Sequence, residues 1–269
     1  MREIKLDELK KIQVEILENV NDFCQKNNIK YWLDCGTLLG AVRHKGYIPW
    51  DDDIDIGMLR EDYDKFMKLF NKNNTRYKFY SIENNEDFYF QFGKVLDMNT
   101  LLYEPDETGV KLNVYIDVFV YDNAPFDDKI CDKMFKKRDL YRKMRYAKFY
   151  PKAYDHTSFK KRIMRFFLNI YLKFVPKNYY VKKLINNSKR YANEDTGGVG
   201  NFTSKTKFIC DKSIFQDFVD VSFEGKKYPA PVGYDKWLKS FYGDYMKLPP
   251  KEKRVSNHVF KAYMKDEEK

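Results

Sequence analysis

The stretch Asp51-Asp52-Asp53-Ile54-Asp55-Ile56 places four carboxylates within five positions. Such charges repel one another, and a fold that carries them close to its core must supply a compensating cation. In an extended segment the period of two puts Asp53 and Asp55 on one face and turns Ile54 and Ile56 toward the core. Two carboxylates on one face are hard oxygen donors that suit Mg²⁺ or Mn²⁺. Ions of this kind commonly join a protein to a substrate phosphate.

Two other segments extend the pattern. Tyr115-Ile116-Asp117-Val118-Phe119 sets one charge in an apolar strand. Asp117 is either an edge residue facing water or a third carboxylate on the same metal site, as a ligand or as acceptor of a hydroxyl proton. Upstream, Gly36-Thr37 closes a short strand and opens a helix. A helix N-terminus offers free N–H groups, and a glycine lets a phosphate approach the backbone. A glycine-plus-threonine turn, an acidic strand and a later strand with one more Asp make the layout of the nucleotidyltransferase fold.

Helical spacing of Leu6, Leu9, Ile12, Ile16, Leu17, Val20 and Phe23 predicts a first helix over about 6–25. Ile29–Asp34, Tyr77–Ile82, Gln91–Leu96 and Val114–Tyr121 read as strands, and Arg60–Asn71 as a helix. Asn84-Asn85 and Glu104-Pro105-Asp106 mark turns. After Pro125, Asp127–Arg145 and Phe159–Phe174 read as basic helices punctuated by Pro151 and Pro176. Thr196-Gly197-Gly198-Val199-Gly200 reads as a loop, and Phe208–Tyr263 as short strands broken by prolines. The expectation is one α+β domain over 1–269. Its core spans about 1–125 and 197–269, a central sheet flanked by helices, with a basic helical insert over about 126–196.

Charge singles out that insert. The chain has 50 Lys and Arg against 40 Asp and Glu. Residues 126–190 hold 20 basic and 5 acidic residues, a net +15, so the remainder is net −5. Such a segment attracts polyanions: nucleic acid, anionic lipid or a phosphate-bearing polymer. A solvated face is the plain alternative. Aromatics such as Tyr141, Tyr146, Phe149, Tyr150, Phe166 and Phe167 are interleaved with the charges. They could stack on bases or form the apolar faces of helices lying on a membrane. A pure binding module would leave the acidic cluster unexplained, so no nucleic-acid partner is expected. Peripheral contact with an anionic membrane is.

No run of 18 apolar residues exists to span a bilayer, and the N-terminus has no continuous apolar signal region. A cytoplasmic location is expected, with contact at the inner face of the membrane. Cys24, Cys35, Cys131 and Cys210 form no CxxC unit. They read as buried or half-buried thiols.

The continuous stretch from Trp32 through Ile56, WLDCGTLLGAVRHKGYIPWDDDIDI, resembles the signature of the LicD family. The likeness continues more loosely at Gly93–Thr100, Ile116–Phe119 and Tyr242–Pro250, and is weakest over the basic insert. That family includes bacterial phosphocholine transferases and is similar to the fukutin-related ribitol-phosphate transferases. The resemblance implies a nucleotidyltransferase-like core and metal-dependent transfer from a CDP-activated alcohol, such as CDP-choline. The acceptor would be a hydroxyl of a cell-surface glycan, a lipid-linked glycan or a teichoic acid precursor, and CMP would leave. Choline, ribitol and glycerol all fit the resemblance. A true nucleotidyltransferase moving NMP would use the same carboxylates.

The family pattern makes Asp53 and Asp55 metal ligands and Asp117 a ligand or base. Gly36 and Thr37 would bind phosphate. Arg43, in the helix after that turn, could pair with a phosphate oxygen or lie on the surface. Lys94 either snorkels or reaches the pyrophosphate. Trp50 packs on the core or faces the ligand, where a quaternary ammonium favours an aromatic ring. Lys253, Arg254 and His258 follow a proline-rich turn and could close over the phosphates. Asp51 and Asp52 rank below Asp53 and Asp55.

Overall fold

The computed structural model describes residues 1–72, 74–88, 90–103, 111–149, 158–203, 207–255 and 261–266. The chain begins β1 (Arg2–Ile4), α1 (Leu6–Lys26), β2 (Trp32–Leu33), α2 (Cys35–His44), β3 (Asp55–Leu59) and α3 (Arg60–Leu69). Five strands follow: β4 (Tyr77–Tyr80), β5 (Gly93–Asp97), β6 (Thr100–Tyr103), β7 (Lys111–Leu112) and β8 (Tyr115–Asn123). Next come helices α4 (Asp128–Phe149), α5 (Phe159–Phe174) and α6 (Tyr179–Ser188). The remainder is β9 (Gly198–Gly200), β10 (Ile209–Asp211), β11 (Phe218–Phe223), β12 (Lys226–Pro231), α7 (Tyr234–Tyr242) and β13 (Lys261–Met264). Helices and largely antiparallel sheets are mixed, an α+β arrangement.

The central sheet runs β10-β9-β8-β3-β2, and the hairpin β4-β5 joins it through β5 on β8. β8 is its hub: parallel to β3, antiparallel to β5 and β9. Val114 to Tyr121 are buried except Tyr115, as expected of a strand covered on both faces. Strands β1-β13-β6-β7 form a second sheet, and β11-β12 a hairpin. The stripe of α1 holds from Leu9 onward, while Leu6, read as its first member, is exposed. Leu9, Ile12, Ile16, Leu17, Val20 and Phe23 are buried in the main core with Ile54, Ile56 and Val118. Asp7 and Glu8 sit in its first turn and Lys26 in its last, each on the favourable end of the helix dipole.

Three expectations need correction. Gly198–Gly200 is a strand, not a loop. A Cβ on Gly198 would stand 2.5 Å from the Ala124 carbonyl oxygen, and one on Gly200 2.4 Å from Ile209 Cδ1. The glycines serve close approach between strands rather than a turn. Residues 234–242, read among short strands, form α7, whose Trp237 and Leu238 are buried. A further helix, α6, arises over 179–188, where none was assigned, and buries Val181 and Leu184 with Ile82. The turn read at 104–106 lies outside the described residues.

α4 packs along α6, and α5 lies on α4. Ion pairs fasten this helical part to the sheet. Arg60 at the start of α3 holds Asp122 of β8 at 2.6 Å and Glu83 at 2.8 Å, and Lys189 meets Glu83 at 2.8 Å. All four cysteines are free thiols; Cys24, Cys131 and Cys210 are buried and Cys35 half-buried.

Candidate active site

The site is built where α2 meets the ends of β3 and β8. Asp34, wholly buried, caps α2. Its Oδ1 accepts the Cys35 N–H at 2.9 Å and the Trp237 Nε1–H at 3.2 Å, and its Oδ2 accepts the Tyr121 hydroxyl at 2.6 Å. Burial pushes this carboxyl above its ordinary range, and the three donors oppose that shift. Cys35 follows with a left-handed φ of 45°, a strained geometry for a side-chain-bearing residue at the start of a helix.

Gly36 lies in the first turn. A Cβ there would stand 2.7 Å from Asp51 Oδ2, so the approach this glycine permits is that of the Asp51 carboxylate. A negative charge is favoured over a helix N-terminus. Thr37 is buried, and its Oγ1 accepts the Asp55 N–H at 2.8 Å. The Asp34 N–H donates to the Asp55 carbonyl at 2.9 Å, and the Asp117 N–H to the Ile54 carbonyl at 2.8 Å. These bonds fix the backbone on which the acids stand. From below, Gln13 of α1 donates to the carbonyl of Asp52 at 3.0 Å and accepts the Tyr47 hydroxyl at 2.9 Å.

Asp55 and Asp117 are register partners across the parallel strands β3 and β8. Asp53 precedes β3, and one carboxylate oxygen each from Asp53, Asp55 and Asp117 lie within 4.8 Å of one another. Ile54 and Ile56 face the core with no exposure, as the period of two requires. Asp51, Asp52 and Asp53 make a second such group, sharing Asp53 with the first. Asp52 is buried, which its lower rank in the sequence did not foresee. Burial and the charges of Asp53, Asp117, Asp34 and Asp51 push the Asp55 carboxyl well above its ordinary range. Three carboxylate oxygens this close, one of them on a carboxyl raised by its neighbours, are the donor chemistry that a hard cation takes. Octahedral coordination at about 2.1 Å sets ligand oxygens about 3–4 Å apart, which this group can meet.

Lys94 of β5 stands opposite Asp117. The outward snorkel weighed for it does not occur: the residue is buried and its Nζ lies 2.5 Å from Asp117 Oδ1. The rings of Tyr115, Phe90 and Phe92 surround the ammonium, with centroids at 3.4, 4.3 and 4.9 Å. Lys94 thus orients the Asp117 carboxylate and offsets one of the site's negative charges.

A second, cationic group gathers beside the acids. Arg254 lies over the Trp50 ring at 5.6 Å and donates from Nε to the Pro249 carbonyl at 2.8 Å. The His44 ring meets the edge of Trp50 at 6.4 Å. Arg43 donates to His44 Nε2 at 2.9 Å and to the Tyr245 carbonyl at 2.7 Å. Partial burial, and after it the nearby Arg254, lower the Arg43 guanidinium from its ordinary range. Trp50 adjoins Asp51 in the chain, so both groups border one loop. Tyr242 is within electrostatic reach of Arg43 and of Asp51 and Asp55. His258 lies outside the described residues.

The structure therefore brings Asp53, Asp55, Asp117 and Lys94 together over Thr37 and sets Arg43, Trp50 and Arg254 beside them as a separate group, where sequence reasoning places all of them, with Gly36, around one diphosphate ligand. That reasoning missed Asp34, Gln13 and Tyr242. A carboxylate at the N-cap position of α2 was the available signal for Asp34.

Residues 28–154 match the family model described as the LicD/FKTN/FKRP nucleotidyltransferase domain. Over 98% of its length the chain is 30% identical to the whole of the lipopolysaccharide cholinephosphotransferase LicD of Haemophilus influenzae. A 34-residue stretch is 56% identical to the ribitol 5-phosphate transferase FKRP of human and mouse, covering 13% of this chain and 7% of theirs. The chain belongs to the LicD family. It is accordingly a phosphotransferase enzyme.

Proposed function

We propose that the chain transfers a phospho-alcohol, phosphocholine first among the candidates, from a CDP-activated donor to a hydroxyl of a cell-surface glycan or teichoic acid precursor. The observation that carries this reading is the convergence of Asp55 and Asp117, partners on adjacent parallel strands, with Asp53 just before the first of them. The near full-length likeness to a cholinephosphotransferase supports the choice of alcohol.

Asp53, Asp55 and Asp117 would hold Mg²⁺ or Mn²⁺. When bound, the ion neutralises and polarises a diphosphate. The acceptor oxygen forms a bond to the phosphorus carrying the alcohol, and the bond from that phosphorus to the bridging oxygen breaks. CMP leaves with the electron pair, and the hydroxyl proton passes to a carboxylate of the site. The protein's share is positioning and charge. Lys94 keeps Asp117 oriented. Arg43 and Arg254 supply positive potential for phosphate oxygens. The Trp50 face, now under Arg254, suits a quaternary ammonium, about 0.5–2 kcal/mol per contact.

Purified protein incubated with Mg²⁺, CDP-choline and a glycan acceptor should release CMP and label the acceptor. Release of pyrophosphate from CTP, with no CMP from CDP-choline, would assign a nucleotidyltransferase instead. A thermal-shift comparison of CDP-choline, CDP-ribitol and CDP-glycerol, each with and without Mg²⁺, would rank the alcohols, because a specific ligand raises the melting point by mass action.

A further inference from the structure

α5 has two opposite faces. Arg165, Leu168, Asn169 and Leu172 form its inner strip, and Leu172 is buried with Ala147 of α4 and Tyr180 of α6. The Leu172 carbonyl accepts from Lys148 at 2.5 Å. At 100° per residue, the opposite side carries Phe159, Ile163, Phe166, Phe167, Ile170 and Phe174. All six are exposed; Phe159 retains 75% of its accessible surface and Phe174 83%. A helix anchored on one side normally turns polar residues outward, and this one does not.

The charge on α5 points to what covers that face. Lys160, Lys161, Arg162 and Lys173 are exposed on a helix with no acidic residue. They belong to the 126–190 segment with its net +15. A second copy of this chain would bring the same cations face to face, whereas anionic headgroups pair with them. We propose that the outer face of α5 docks on an anionic phospholipid bilayer, its phenylalanines entering the acyl boundary and its Lys and Arg meeting the headgroups. Among the described residues no helix is long and apolar enough to cross a membrane, so the contact is peripheral. This surface is separate from the carboxylate site and does not depend on which alcohol is transferred.

The test is flotation of the purified full-length protein with vesicles. At low salt it should float with phosphatidylglycerol-rich vesicles about tenfold more than with phosphatidylcholine vesicles, and the preference should shrink in high salt. Phe166→Glu with Phe167→Glu should lower recovery on anionic vesicles about tenfold or more without moving the melting temperature, since both side chains are exposed. If that pair destabilises the fold, Phe159→Ser with Phe174→Ser at the two ends of the helix gives the same reading. Equal recovery on both lipids, no recovery, or recovery indifferent to both variant pairs would overturn the proposal. So would a dimer in light scattering that these variants dissolve while vesicles are ignored, because a second copy would then own the face.

Discussion

The acidic site and the basic helices are charged regions of opposite sign, and the protein treats them oppositely. Asp55 and Asp117 are buried, and an oxygen of each lies within 4.8 Å of the other and of one on Asp53. The Lys and Arg of 126–190 are mostly exposed and dispersed along three helices. Buried like charges interact through a low dielectric and cost stability unless a counter-ion arrives. Exposed ones are screened beyond about 10 Å at 0.1 M salt. Burial, more than the number of charges, separates the two regions. Arg138 and Arg145 show the rule from within the basic segment. Both are buried, and each is partnered: Arg138 with Asp139, and Arg145 with the carbonyl of Phe88.

This contrast can be broken by substitution, and the acidic side should give the largest effects. Asp53→Ala and Asp55→Ala should each lower turnover on the order of 10³-fold or more, read as CMP release under saturating Mg²⁺. Asp55→Asn should at the same time raise the melting temperature of the metal-free protein, since it removes a carboxylate raised by burial and by four neighbouring acids. Lys94→Met leaves Asp117 buried without its ammonium partner and should cost about 3–5 kcal/mol in denaturant melts. Mg²⁺ should return part of that loss, and more of it than in the unsubstituted protein. Asp34→Ala strands the Tyr121 hydroxyl, the Trp237 indole and the first N–H of α2, and should cost about 3 kcal/mol. On the basic side, Lys136→Ser with Lys137→Ser, both exposed on α4, should move stability by less than about 0.5 kcal/mol.

Local pattern carried much of this. The stripe of α1, the strand through Ile54 and Ile56, and the apolar run around Asp117 each declare themselves within a few residues, and together they place the carboxylates. What stayed hidden depends on pairs far apart in the chain. Asp34 meets Tyr121 and Trp237, 87 and 203 positions away, and nothing in its neighbourhood announces either partner. Lys94 looks like any strand lysine until β5 aligns it with Asp117. Gly197, with φ of 66°, is the loop glycine it reads as, but Gly198-Val199-Gly200 misleads because the same residue that permits a turn also permits close strand packing, and only the neighbouring strands decide. α7 was masked by the prolines around it, which punctuate β12 and the segment after the helix rather than the helix itself.

The most direct test of the proposed metal site is anomalous diffraction from crystals soaked with Mn²⁺ and CDP-choline. The expected result is a peak enclosed by the oxygens of Asp53, Asp55 and Asp117, in contact with the diphosphate, and lost in Asp55→Ala. A diphosphate bound elsewhere, or bound here with those carboxylates parted and no metal among them, would contradict it.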